Sequence, residues 1–350
     1  MSDRFFSLLE AKQGESAPVC VIAELSANHK GSLERARNLV RAAHEAGADA
    51  VKLQTYTPDT MTIPCNNEFF RIHGGLWDGY TLYDLYEEAQ TPKEWHGTLK
   101  ECADDVGMPL FSTPFDEASV DFLEQLNVPA YKIASFELVD HQLLSKVAST
   151  GKPVIMSTGM ATLAEIDEAM SVLRTNGADN VILLLCTSDY PASPRDANLL
   201  RLPHLAKTFT CLAGISDHTM TSAVPVAAVA LGAKVIEKHF TLSRADGGPD
   251  SGFSMEKGEF EAMVHDIRVA EEALGKVDYG SLLLDRTTRL SRRSLFVVQD
   301  IAAGDHFTKE NVRSIRPGHG LMPREIDHIL GRKAKKHIAL GTPLSWDLIE

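Results

Sequence analysis

Apolar residues along the chain fall into short, nearly unbroken runs. Each run is followed by a turn and then by a stretch in which apolar positions return every three or four residues. Eight such runs stand out, at 18–25, 50–55, 109–115, 130–135, 153–158, 181–188, 212–218 and 234–240. Continuous β-branched runs suit strands covered on both faces. The stretches 33–46, 93–106, 117–126, 164–175 and 222–231 read as amphipathic helices. Ser32, Thr91-Pro92 and Thr162 supply start signals, and Gly47, Gly107 and Gly232 supply stops. Eight strand–helix units imply a parallel sheet, and eight is the number that closes into a (β/α)8 TIM barrel.

The spacing breaks once, after the second run. Residues 57–91 form an insertion carrying Phe69-Phe70, Gly74-Gly75, Trp77, Tyr80, Tyr83 and Tyr86. An insertion of that length reads either as a lid or partner contact, or as a surface elaboration with its own small core. After a last helical stretch at 256–274 the texture changes. Residues 300–307 resemble residues 337–344, which suggests a compact, pseudo-symmetric unit of short strands and turns. The expected organisation is a barrel over 1–275, a polar linker over 276–293 and a small domain over 294–350, the last near the lower size limit for a self-standing core.

Composition narrows the function classes. The chain has 350 residues, 44% of them hydrophobic, and a formal net charge of −13. That charge argues against nucleic acid and anionic membranes as partners, and an anionic substrate would need a local cationic cluster. Nothing reads as a membrane span, and residues 1–16 are polar without a signal-peptide core. Five scattered cysteines give no disulfide framework and point to a reducing cytoplasm.

Every expected strand turns polar at the same end, where barrel active sites lie. The ends carry Glu24; Lys52 and Gln54; Ser112 and Thr113; Lys132, with Ser135 and Glu137 just beyond; Ser157; Cys186 and Ser188, then Tyr190; Ser216 and His218; Glu237 and His239. Alternation places Lys52 with Gln54, Ser216 with His218 and Glu237 with His239 on shared faces. Lys132 and Ser135 have opposite parity, so the chain must leave strand geometry between them if both point inward. His218 and His239, on adjacent strands, read either as chelators of one loosely held divalent ion, Mn2+ or Mg2+, or as two hydrogen-bonded histidines. Lys52 and Lys132 each need an anion, either Glu24 or Glu237 in an internal ion pair or a phosphate or carboxylate ligand. Glu24, Glu137 and Asp250 are candidates for proton transfer or for binding sugar hydroxyls. Arg316 sits in the Gly-rich turn Arg316-Pro317-Gly318 of the small domain.

These residues lie in stretches that resemble the sialic acid synthase family: Ile22-Ala23-Glu24, Lys52-Leu53-Gln54-Thr55, Phe111-Ser112-Thr113-Pro114-Phe115, Tyr131-Lys132-Ile133-Ala134-Ser135, Ser157-Thr158-Gly159-Met160, Cys186-Thr187-Ser188, Ser216-Asp217-His218-Thr219 and Glu237-Lys238-His239-Phe240. The likeness runs from about residue 18 to the C-terminus and includes an antifreeze-like (SAF) domain. Within the family, Glu24-Leu25-Ser26-Ala27-Asn28-His29, Gln54-Thr55-Tyr56-Thr57-Pro58-Asp59 and Gly74-Gly75-Leu76-Trp77-Asp78 are similar to the pseudaminic acid synthase branch. Asp246-Gly247-Gly248-Pro249-Asp250 is more like the neuraminate branch.

The resemblance implies a transferase that joins phosphoenolpyruvate to an N-acylated amino sugar, here 2,4-diacetamido-2,4,6-trideoxy-β-L-altropyranose, to give pseudaminic acid and phosphate. It implies that Lys52, Thr113, Lys132, Ser135, Ser188 and Ser216 hold phosphoenolpyruvate, with Ser188 standing where the family often has Asn. His218 and His239 would hold the metal. Glu24, Gln54, Glu137, Tyr190 and Asp250 would orient sugar and water, with Glu24 assisting proton transfer. Arg316 would reach the sugar across a domain-swapped homodimer. The insertion would shape the sugar pocket, with Trp77 and Tyr80 near its deoxy end. The alternatives are an N-acetylneuraminate or legionaminate synthase, a Schiff-base aldolase using Lys52 or Lys132, and a non-catalytic carbohydrate-binding protein.

Overall fold

The computed structural model describes residues 2–15, 17–277, 279 and 290–350. Eight parallel strands form one sheet: β1 (Cys20–Glu24), β2 (Ala50–Thr55), β3 (Leu110–Pro114), β4 (Tyr131–Ile133), β5 (Val154–Ser157), β6 (Val181–Cys186), β7 (Leu212–Asp217) and β8 (Val235–Thr241). They pair in chain order, and β1 pairs with β8 through Cys20–Val235 to Glu24–His239, so the sheet closes on itself. The fold is the TIM barrel that eight strand–helix units imply. A two-residue strand, β9 (Met255–Glu256), pairs in parallel with Phe240 and Thr241 at the end of β8.

The helices wrap the sheet: α1 (Ser2–Glu10), α2 (Leu33–Glu45), α3 (Pro58–Met61), α4 (Leu82–Ala89), α5 (His96–Asp105), α6 (Glu117–Gln125), α7 (His141–Ala148), α8 (Leu163–Thr175), α9 (Arg201–Phe209), α10 (Ala223–Ala230) and α11 (Lys257–Leu274). Their starts follow local chemistry. Ser32, Asp116 and Asp140 accept from backbone N–H groups of the first turn, and Thr162 with Glu165 forms a reciprocal capping box.

Helix α1 differs from the sequence expectation, because residues 1–16 read only as a polar lead. Phe5 and Leu8 are fully buried, and the Phe5 ring lies 5.2 Å from that of Phe111. Arg4 and the backbone N–H of Val19 both bond to Glu271 of α11, which fixes α1 against the start of β1. Two apolar positions on one helical face suffice once a barrel end is there to receive them.

The insertion is anchored from behind. The hydroxyl of Thr55 lies 2.8 Å from His96 Nε2 and 2.6 Å from Ser112 Oγ, and His96 Nδ1 is 3.1 Å from the Pro92 carbonyl. His29 receives a bond from the Gly31 N–H, lies 3.3 Å from Thr91 Oγ1, and packs edge-on against Trp95.

Residues Lys276–Glu350 form a second compact unit, apart from Met1–Gly275. The expected linker over 276–293 lies largely outside the described residues. In this unit β10 (Ser294–Val297) runs antiparallel to β11 (Val312–Ile315). The two copies of the internal repeat meet directly: Ile301 and Ile338 exchange both backbone hydrogen bonds at 2.9 Å. Gly304 and Gly341 hold matching positive φ angles of 89° and 84°, the conformation glycine enters without penalty. Phe307 and Leu344 occupy corresponding places in the unit's apolar core. Among the described residues, no helix is long and apolar enough to cross a membrane.

Burial pushes His29 and His96 down to about 4 from an ordinary 6.5. These two histidines therefore contribute stability that is lost as pH drops from the ordinary value toward the shifted one, because the unfolded chain protonates them where the folded chain does not. At about 1.4 kcal/mol per pKa unit, the loss is at most of the order of 3 kcal/mol per histidine. Denaturant unfolding of the wild type and of His96→Gln at about pH 7 and about pH 4.5 measures it: the variant is expected to lack one histidine's share of the loss.

Candidate active site

The register of the strands sets which side chains meet. In parallel pairs, side chains at paired Cα positions point the same way. Glu24 pairs with Lys52 and with His239, Gln54 with Thr113, Ser216 with Glu237, and Cys186 with Ser216. All lie at the C-terminal ends of their strands, so the expected inward faces converge on one mouth. Strand β4 stops at Ile133 and a 3-10 turn over Ser135–Val139 begins at once. That turn is how Lys132 and Ser135, of opposite parity, come to the same mouth.

The two lysines are buried against carboxylates. Lys52 Nζ pairs closely with Glu24, lies 3.8 Å from Glu237 Oε2 and donates to Thr113 Oγ1 at 3.1 Å. Lys132 Nζ donates to Ser157 Oγ at 2.7 Å and to the Ile133 carbonyl at 3.0 Å, and lies 3.9 Å from Glu237 Oε1. Ser216 Oγ donates to the same Glu237 oxygen at 2.9 Å. The internal ion pairs that the sequence offered as one reading are thus present, and Glu237 bridges both ammoniums. Burial opposes ionisation of Glu237, but Lys132 and Lys52 outweigh it and hold the carboxyl below the usual range. Burial pushes Glu24 the other way despite Lys52.

A small cradle lies beside Lys132. Ser135 Oγ accepts from the Gly159 N–H at 3.0 Å. A Cβ added to Gly159 would stand 2.3 Å from Ser188 Oγ and 2.8 Å from Ser135 Oγ. A methyl there would push one or both hydroxyls out of place.

His218 and His239 come together with ring centroids 5.3 Å apart and planes inclined at 58°. The Nδ1–H of His218 donates to the Thr187 carbonyl at 2.8 Å; burial opposes its protonation, but Cys186 and that carbonyl outweigh burial and hold the imidazole above the ordinary histidine value, so metal binding there would displace a proton. His239 Nδ1 is buried with no hydrogen-bond partner. Burial and the adjacent His218 push His239 well below the ordinary histidine range, so its imidazole is neutral, the form that ligates metals. The pair fits a divalent ion held by two protein ligands. Among the described residues, no group of three or more His, Cys, Asp or Glu could hold such an ion together.

An aromatic wall closes one side. The Tyr190 ring lies 4.3 Å from that of His218 and 4.8 Å from that of Phe253, and Phe253 lies 4.8 Å from His239. Trp77 reaches the wall from the insertion, 5.8 Å from Tyr190, and its indole N–H donates to the Pro249 carbonyl at 2.9 Å. Tyr80 does not join it: its hydroxyl donates to Glu88 on the exposed side of the insertion. Asp250, next to Pro249, accepts from Ser26 Oγ and from the Ala27 N–H. Glu137 keeps Oε2 buried without a partner, while Arg316 lies in the second compact unit. Sequence reasoning brought Glu237 to the mouth without giving it a role, and left Gly159 and Phe253 off the site. Glu237 shares a face with His239, as alternation indicated; Phe253 sits in a loop with no periodic signal.

The model of the NeuB family matches residues 39–279, and that of the SAF domain matches 292–350. The chain is 46% identical over 328 residues to the pseudaminic acid synthase of Campylobacter jejuni, covering 93% of this chain and 95% of that protein. It is 45% identical over 335 residues to the pseudaminic acid synthase of Helicobacter pylori, covering 95% and 98%. The crystal structure of the Bacillus subtilis spore coat polysaccharide biosynthesis protein SpsE superposes with a TM-score of 0.66 at 33% identity, covering 98% of each chain.

Burial pushes the Glu137 carboxyl up to about 7 from 4.5. The folded protein then keeps a proton that the unfolded chain releases, so this residue's contribution is full at low pH and is lost as pH rises through about 7. Glu137→Gln is expected to remove a stability difference of at most about 3 kcal/mol between pH values on either side of that range. Unfolding midpoints of the two proteins across that interval are the measurement.

Proposed function

The chain belongs to the NeuB family and carries an SAF domain, and from that premise we propose that it is a pseudaminic acid synthase. It condenses phosphoenolpyruvate with 2,4-diacetamido-2,4,6-trideoxy-β-L-altropyranose and water. The observation that carries this reading is the meeting, at one barrel mouth, of two buried ammoniums, a hydroxyl-lined glycine cradle and a pair of imidazoles.

Lys52 and Lys132 hold the enol phosphate as point charges, with Thr113, Ser135, Ser188 and Ser216 as neutral donors around it. The Glu237 carboxylate already takes up one of the two ammonium charges, so the negative charges of phosphoenolpyruvate need a further counter-charge. A divalent ion on His218 and His239, Mn2+ or Mg2+, supplies that charge and polarises the aldehyde of the open-chain sugar when bound. C3 of phosphoenolpyruvate forms the bond to the aldehyde carbon, and the aldehyde oxygen takes up a proton. Glu24, buried beside Lys52, is placed to deliver that proton. Water adds at C2, returning one proton to Glu24; phosphate leaves with cleavage of the C2–O bond and carries the other, and the 2-keto acid results. Gln54, Glu137, Tyr190 and Asp250 orient the sugar and the attacking water.

The working unit is proposed to be a homodimer in the cytoplasm, with Arg316 of the partner subunit completing the sugar site. Exposed apolar side chains at the loops around the mouth, Phe136, Val139, Met160, Leu200 and Met220, support coverage by a second copy.

Incubation of the protein with phosphoenolpyruvate, Mn2+ and a sugar panel including N-acetylmannosamine tests the reading. Mass spectrometry is expected to show the nonulosonic acid from the trideoxy sugar together with released phosphate. EDTA is expected to abolish turnover, with Mn2+ restoring it, and borohydride is expected to trap no lysine adduct. Gly159→Ala is expected to raise the KM for phosphoenolpyruvate at least about tenfold, since the new methyl occupies the cradle. Unchanged KM in that variant would remove Gly159 from the phosphate site.

A further inference from the structure

Resting on that reading, we propose that Ser26 is a positioning residue that sets two carboxylates of the mouth at once, Glu24 through its backbone and Asp250 through its hydroxyl. Ser26 lies two residues past the end of β1 and is 2% exposed. Its N–H donates to Glu24 Oε1 at 3.0 Å, while Glu24 Oε2 faces Lys52. Its hydroxyl donates to Asp250 Oδ2, which also accepts from the Ala27 N–H at 3.2 Å. Both bonds fall on one oxygen of Asp250. Among the described residues none bonds to Oδ1, which is left for a ligand.

The backbone marks Ser26 as a held residue. Its φ is 37°, in the left-handed region where a Cβ is crowded and glycine is favoured. A residue with a side chain stays there only when its surroundings fix it. The bonds to Glu24 and Asp250 supply that constraint. The hydroxyl is not needed to join the two loops that meet here. Asn28 Nδ2 donates to the Phe240 carbonyl at 3.0 Å and to Ser254 Oγ at 2.9 Å. Arg35 donates to the Asn28 carbonyl at 2.8 Å and to Asp246 at 2.6 Å. The turn after β1 and the loop after β8 are thus tied without Ser26, and what its hydroxyl adds is the direction of one carboxylate.

Substitution separates the two bonds. Glycine at position 26 removes the hydroxyl but enters the same φ freely, so the N–H stays on Glu24. Alanine removes the hydroxyl and keeps the Cβ, so the backbone leaves the left-handed region and takes the N–H off Glu24.

The test is steady-state kinetics of the full-length wild type, Ser26→Gly and Ser26→Ala with Mn2+, varying phosphoenolpyruvate and the trideoxy sugar in turn, beside crystal structures of both variants. Ser26→Gly is expected to raise the KM for the sugar at least about tenfold, the loss of one charge-assisted hydrogen bond, with the KM for phosphoenolpyruvate and kcat within about twofold of wild type. Ser26→Ala is expected to show the same rise and to lower kcat at least about tenfold as well, because Glu24 is then misplaced. In the structures, the Asp250 carboxylate is expected to turn in both variants and that of Glu24 to move in the alanine variant alone. An unchanged sugar KM in Ser26→Gly overturns the proposal, as does an equal rise in both KM values. Should Ser26→Ala fail to fold, the glycine variant decides alone. If the wild type releases no phosphate with any sugar, the functional reading falls and the structures decide the role of Ser26: an Asp250 carboxylate unmoved in Ser26→Gly overturns it.

Discussion

Two ammonium groups kept inside a barrel require counter-charge within a few ångströms, and the mouth of this barrel is organised around that requirement. Glu237 meets it by facing Lys52 and Lys132 at once, while Glu24 takes Lys52 from the other side. The arrangement fixes the spacing of the cations before any substrate arrives. It also draws in the hydroxyls: Ser216 is bound to Glu237, Thr113 to Lys52 and Ser157 to Lys132. A second ion pair, Lys238 with Asp217 at 2.6 Å, lies on the opposite faces of β7 and β8 and clamps those strands where they carry His218 and His239 toward the mouth. The side-chain alternation of β7 and β8 thus serves two ends, chemistry on one face and rigidity on the other.

Much of this was legible in the sequence because parallel strands buried on both faces leave an unmistakable trace. Residues 50–55 read as a strand and are one, and the other seven runs differ from the observed strands mainly at their ends. Polar residues at one end of each run marked the mouth, and strict alternation brought Lys52, Ser216, Glu237 and His239 to the same side. What was not legible depends on contacts between distant segments. Helix α1 shows its apolar face only against Phe111, and Phe253 enters the site because the loop after β8 folds back over His239. Tyr80 and Trp77 are three residues apart in an irregular insertion, where no period tells which aromatic turns inward. Glu237 was visible but ambiguous, since an ion-paired carboxylate and an active-site carboxylate have the same sequence signature.

The insertion after β2 joins these levels. Its base is held by neutral, buried histidines behind the barrel wall, and its tip is held by Trp77 and Leu76 at the loop after β8. A segment fixed at both ends can present a shaped surface to a ligand without a core of its own, which separates it from a disordered lid. The ammoniums, carboxylates and imidazoles of the mouth are supplied by strand ends, while the aromatic wall beside them comes from irregular chain. Such a division lets the wall change without disturbing the ion pairs.

The hydrogen bonds between β1 and β8 join residues near position 20 to residues near position 239. During synthesis, β1 therefore waits with one edge unpaired until more than two hundred further residues have left the ribosome. Open edges of that kind invite pairing with other chains, and contacts so distant along the chain form slowly. Helix α1, which covers Phe111, is made first and can shield part of the nascent apolar surface before the ring is complete.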